Sequence, residues 1–120
     1  MERSRSYRDL IVWKKSIDLV GKIYSSTRSF PKEEMYGITS QTRRAGISIP
    51  ANIAEGQARS SVGEFQQFLG ISQGSLAELE TLLVISRNLG YLTLKDADEL
   101  LNDCEEIGRL LAGLKNSLKP

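Results

Sequence analysis

The sequence contains no histidine. That removes the side chain that most often serves as general base or metal ligand near neutral pH. A single cysteine, Cys104, excludes an internal disulfide, and its place on an apolar stripe fits core packing rather than nucleophilic chemistry. No charged-then-apolar leader opens the sequence, and together with the lone cysteine this gives the expectation of a cytoplasmic protein. Apolar runs are short: Ser, Asn, Arg or Gly interrupts each of them before the roughly 18 residues that a membrane span requires. Alternating strand patterns bounded by turn signals are missing, as are internal repeats. So are a phosphate-binding lysine loop, a dinucleotide glycine pattern and metal-ligand spacings. Glu78 and Glu80 point to different faces of a helix and make no ready carboxylate pair. Glu55 and Glu64 suit an ion pair and a helix cap better than acid–base work. These absences predict a non-enzyme with no cofactor, no metal and no small-molecule substrate.

What is present is helical. The chain has 120 residues, 40% of them hydrophobic, enough for one domain over 1–120 with one core. Apolar residues recur at helical spacing in four stretches, predicting helices over about 9–28, 33–59, 61–89 and 93–118. Val12, Trp13, Ile17, Leu19, Val20, Ile23 and Tyr24 mark the first. Pro31 can start the second, with Glu33 and Glu34 near its positive N-terminal end. The third opens on Ser61 and Glu64 at capping-box spacing, and Gly90 closes it. It carries two apolar stripes: Phe65, Leu69, Leu76, Leu79 and Leu83 on one, and Phe68, Ile71, Leu82, Ile85 and Leu89 on the other. A monomeric bundle needs only one. Thr93 caps the fourth, whose stripe is Ala97, Leu101, Cys104, Leu111, Leu114 and Leu118. Short connections make the expected architecture an all-α, antiparallel up-and-down four-helix bundle.

The second helix is the least ordinary. Gln41, Arg44, Ser48, Asn52, Glu55 and Arg59 step by three or four residues and share one face, while Ile38, Ala45, Ile49, Ile53 and Gly56 share another. Pro50 removes a backbone donor and pushes its ring at the carbonyl of Gly46, a fault worth about 3 kcal/mol in a plain helix. Gly46 leaves room for a bend there. If the second and third helices fold back at Ser60 and Ser61, facing residues have numbers summing to about 122. Arg44 then faces Glu78, and Ser48 and Asn52 meet Gly74 and Gly70. The polar face reads either as an internal lock between the two helices or as a ligand site.

Charge is unevenly spread. Residues 1–32 hold eight Lys or Arg against three acids, a net of +5, and residues 33–120 carry −4. Arg3, Arg5, Arg8, Lys14, Lys15, Lys22 and Arg28 are therefore candidates for contact with nucleic-acid phosphates, the alternative being an ordinary solvated helix face.

LIVWKKSIDLV at 10–20, QTRRAG at 41–46, SIPANIAEG at 48–56, Arg59, FQQFLGISQGSLAELET at 65–81 and NLGYL at 88–92 together resemble the bacterial four-helix-bundle family. Its members were first met as products of intervening sequences in 23S ribosomal RNA genes. The resemblance spans about Leu10 to Leu118. It implies a ring-shaped homopentamer, which would give the third helix's second stripe a neighbour. The family is also similar to the accessory variability protein of diversity-generating retroelements, a non-catalytic basic pentamer. That likeness implies RNA or DNA and a reverse transcriptase as partners. The competing expectation is a protein–protein assembly factor with no nucleic-acid binding.

Overall fold

Four helices form in the computed structural model, which describes residues 6–118: α1 (Ile11–Thr27), α2 (Ile38–Ala58), α3 (Val62–Asn88) and α4 (Leu94–Ser117). No strand occurs among the described residues. α1 packs on α2 and α4, α3 packs on α2 and α4, and the two diagonal pairs bring no backbones within 8 Å, measured between Cα atoms. This is the antiparallel four-helix bundle that the periodicity predicts.

Local signals place most boundaries. The Ser61 hydroxyl accepts from the Glu64 backbone N–H at 3.1 Å and donates to the Glu64 carboxylate at the same distance. Thr93 accepts from the Asp96 backbone at 3.0 Å. α3 ends where Gly90 takes φ +80°, a conformation costly for any residue with a Cβ. The start of α2 is the boundary that moves. Residues 33–37, expected to be helical, instead make a 3-10 turn (Lys32–Glu34) and a further turn before α2 begins. The Glu34 carboxylate still meets the start of α2, with Oε1 3.5 Å from the Ile38 backbone nitrogen that donates to it, while its other oxygen accepts from the Tyr91 hydroxyl at 3.0 Å. The Phe30 and Tyr91 rings meet beside it with centroids 5.5 Å apart.

The core lies along the bundle axis. Leu19, Ile23, Ile49, Ile53, Phe65, Leu69, Leu79, Leu83, Ile107 and Leu111 are its largest fully buried apolar side chains, each stabilising the fold by roughly 1.5–3 kcal/mol through burial. All five residues of α3's first stripe are buried. In α4 the stripe is Ala97, Leu100, Cys104, Ile107 and Leu111, while Leu101, Leu114 and Leu118 sit half-buried at its edge. Polar residues also enter the core of α1. Ser16 and Thr27 are buried and donate to the carbonyls of Val12 (2.7 Å) and Ile23 (2.8 Å). This back-bonding satisfies hydroxyls that periodicity alone assigns to solvent.

α2 runs through Pro50 as one helix. Gly46 has a role other than easing a bend: a Cβ there would lie 2.8 Å from Ile23 Cδ1, so the missing side chain lets α1 approach. Gly56 does the same for α3, where a Cβ would come within 2.7 Å of Phe68 Cβ and 3.0 Å of Phe65 Cδ1. α3 also corrects one sequence expectation. By length and mean composition it is apolar enough to cross a membrane, although Glu64, Glu78, Glu80 and Arg87 interrupt it. Its buried stripe nevertheless forms part of the bundle core.

Candidate interaction surfaces

The polar face of α2 divides into three parts. In the middle is a lock of neutral groups. Asn52 Nδ2 donates to the Ser48 carbonyl (2.8 Å) and to Ser48 Oγ (2.9 Å). Ser48 Oγ also lies 2.7 Å from Ser75 Oγ, a hydrogen bond in which either hydroxyl can donate. Fully buried Ser72 donates to the Ile49 carbonyl at 3.0 Å. The pairs Ser48–Ser75 and Ile49–Ser72 bracket the expected register, although Ser48 meets Ser75 and not Gly74. Near the hairpin, Arg59 pairs with Glu55 at 2.9 Å, lies 4.0 Å from Glu64 and stacks on Phe68 with its guanidinium 5.0 Å from the ring centroid. At the far end, Gln41, Arg44, Ala45, Ser48 and Glu78 line a recess of about 370 Å³. Arg44 and Glu78 share that recess, yet both are exposed and form no ion pair with each other. The expected internal Arg44–Glu78 pair is thus replaced by two solvated charges. Desolvating them would cost more than a single pairing returns.

The outer side of this hairpin exposes several apolar side chains, with Glu78 among them on α3. Ile47 is 42% exposed on α2, and Ile71 and Ile85 are 47% and 41% exposed on α3, with Gly74 and Ala77 exposed between them. Of α3's second stripe only Leu82 is buried, and Leu89 is 55% exposed.

The basic residues do not gather into one patch. Arg3 and Arg5 lie outside the described residues. Lys15 and Lys22 turn toward α4, where Lys15 pairs with Glu106 at 3.4 Å and Lys22 with Asp103 at 2.9 Å. The hydrogen bond and charge of Asp103 hold the Lys22 ammonium above its ordinary pKa. Arg8, Lys14 and Arg28 are exposed, and Lys14 and Arg28 are separated by roughly 21 Å along the helix. Between α1 and α4 runs a groove of about 730 Å³ whose charged lining is Asp18, Asp96, Glu99 and Lys22. α4 therefore brings acids against the helix that the sequence reading took to be basic.

Reactive chemistry is sparse. Cys104 is fully buried, and burial, with Glu80 and Asp103 nearby, pushes its thiol up to about 12. Among the described residues no three His, Cys, Asp or Glu side chains are placed to hold a metal.

One cation escaped the sequence reading. Arg43 reaches from α2 to α1, donating from Nε to Thr27 Oγ1 at 2.9 Å while its guanidinium carbon sits 4.5 Å from the Tyr24 ring centroid. The arginine pair in QTRRAG was visible, but the α1–α2 register needed to match it with Tyr24 was not.

With this geometry in place, the comparisons decide the family. The model of the 23S rRNA-intervening sequence protein family matches residues 8–113. The chain belongs to that family. A solved structure from Bacteroides thetaiotaomicron, described as a protein of unknown function from the S23 ribosomal protein family, is similar at 26% identity. It has a TM-score of 0.81, with 88% of this chain and 98% of that one covered. No curated protein matches. Membership in the intervening-sequence family accounts for the bundle and for the α2–α3 signature.

Proposed function

We propose that this intervening-sequence family protein is a non-catalytic helical scaffold that works as a homo-oligomer and presents protein-binding surfaces. The observation that carries the proposal is the outer α2–α3 face. Ile47, Ile71 and Ile85 expose apolar surface beside the small residues Gly74 and Ala77, and helices with small residues at their surface approach closely. Exposed large apolar side chains that recur along one helix face, here with Glu78 between Ile71 and Ile85, suit an interaction surface with a polar element. The ring of five copies implied by the family resemblance would cover it. The pairing of Lys15 and Lys22 with α4 acids favours an assembly role over nucleic-acid binding by the whole basic first helix.

Sedimentation velocity on the full chain tests the proposal. The wild type is expected to sediment as a closed oligomer, and Ile71→Glu as a monomer with unchanged helical circular dichroism. A wild-type chain that remains monomeric at high concentration defeats the scaffold reading. Affinity capture with and without nuclease then asks about partners: a protein recovered after nuclease treatment supports the assembly role. A reverse transcriptase recovered only with nucleic acid present would instead support the accessory-subunit role.

A further inference from the structure

The α1–α2 side of the bundle carries a cation arranged unlike the other cations among the described residues. Arg43 is half-buried, its Nε–H is bonded to Thr27 Oγ1, and Thr27 is itself held by donating to the Ile23 carbonyl. The Tyr24 ring supports the guanidinium at 4.5 Å, inside the roughly 6 Å reach of a cation–π contact. A guanidinium has five N–H donors. With Nε used, the terminal nitrogens of Arg43 have no carboxylate and no other acceptor within hydrogen-bond distance among the described residues. Other paired cations differ. Arg59, Arg109, Lys15 and Lys22 each have a carboxylate within 4.0 Å. Arg28 lies one turn beyond Tyr24 on α1, so the two share a face, and Arg28 is exposed without an acidic partner. Tyr36, in the turn just before α2 and at the same end of the bundle, is 96% exposed.

We infer that the corner formed by Tyr24, Arg28 and Arg43 is a phosphate-contact site for single-stranded nucleic acid. An oriented guanidinium edge with free paired donors matches the oxygens of a phosphodiester. The second arginine spaces a second contact, and the exposed Tyr36 ring offers a surface on which an unpaired base can stack. Aromatic rings beside the arginines favour nucleic acid over a phosphorylated peptide. Opposing charge at this end is limited. It is confined to Glu33 and Glu34 of the connecting segment, Glu34 keeping its charge while it accepts from the Tyr91 hydroxyl. The acids of the α1–α4 groove flank the other side of α1. This inference is independent of self-association, since one copy carries the whole corner.

The test is fluorescence anisotropy of a labelled single-stranded RNA of mixed sequence, titrated at low salt with the full chain. Arg28→Ala and Arg43→Lys are each expected to weaken binding about tenfold, with the slope of affinity against salt reduced by about 1 in Arg28→Ala and retained in the charge-conserving Arg43→Lys. Lys22→Ala, already neutralised by Asp103, should leave binding unchanged. Arg43→Lys keeps the charge and removes the fork, and Arg28 is exposed, so folding is checked by helical signal and melting temperature in each case. A shift of the Arg43 Nε–H resonance on adding RNA, with competition by inorganic phosphate, is expected. Several results overturn the inference: RNA binding that survives both arginine variants, an equal loss in Lys22→Ala, or a lower melting temperature in Arg43→Lys with binding intact. So does arginine-dependent binding to phosphatidylserine vesicles or to a phosphoserine peptide in the absence of RNA binding.

Discussion

The α2–α3 seam and the α1–α4 seam solve the same packing problem with opposite chemistry. Between α2 and α3 the contacts along the helices are neutral: Ser48, Asn52, Ser72 and Ser75 make hydrogen bonds of 2.7–3.0 Å, and Gly56 lets the helices close on Phe65 and Phe68. Only Arg59 at the hairpin end, near Glu64 and over Phe68, brings charge. Between α1 and α4 they are charged and lie at the surface, as Lys15–Glu106 and Lys22–Asp103 beside an open groove. Hydroxyl and amide pairs tolerate burial at small cost, so they can sit where shape is tight. Exposed ion pairs gain little because water and salt screen them. Sequence-specific fit is thus concentrated in the hairpin, and the α1–α4 side is the more easily opened.

Five substitutions sharpen that contrast, in order of expected effect. Phe65→Ala, which empties the space facing Gly56, should destabilise by about 3–5 kcal/mol in chemical denaturation. Gly56→Ala should cost about 1–3 kcal/mol, because the new Cβ meets Phe68 Cβ, an atom fixed to the backbone. Gly46→Ala should cost less, since its obstacle is the mobile end of Ile23. Ser75→Ala removes the hydroxyl partner of half-buried Ser48, and a loss of about 1 kcal/mol in urea titration is expected. Lys22→Met should change stability by less than about 1 kcal/mol, a difference that shrinks further in high salt. A larger effect for Lys22→Met than for Ser75→Ala would reverse the comparison.

Cys104 adds a pH test within the core. Its folded thiol stands near 12, above the ordinary 9.0, so the folded state holds its proton more tightly than the unfolded chain. Its contribution is complete below pH 9 and is lost as pH rises toward 12, with a slope approaching about 1.4 kcal/mol per pH unit. Melting curves should show the wild type losing more stability than Cys104→Ala between those limits.

Most of the bundle was legible because helical periodicity and caps act locally. Ser61, Thr93 and Gly90 mark ends by their own backbone chemistry. The α2–α3 register was also legible, because a hairpin of a few residues fixes which positions face each other. The α1–α2 register was not: residues 28–37 form a longer connection containing a 3-10 turn, and no sum of residue numbers follows from it. That is why the Tyr24–Arg43 stack went unseen, while Arg44, its neighbour in sequence, was assigned a partner. Ser16 and Thr27 were missed for another reason. A serine or threonine that bonds back to its own helix can be buried without any distant partner to reveal it. The basic first helix misled because charge was counted along the chain, whereas the acids that face Lys15 and Lys22 lie more than eighty residues later.

The Tyr91–Glu34 hydrogen bond joins the connection before α2 to the connection before α4 at one end of the bundle. In native-state hydrogen exchange, two crossovers tied in this way open together rather than one at a time. The amides of Phe30 and Leu92, both bonded to backbone carbonyls in these turns, should then exchange with a common opening free energy. Tyr91→Phe would separate them into two independently fraying segments.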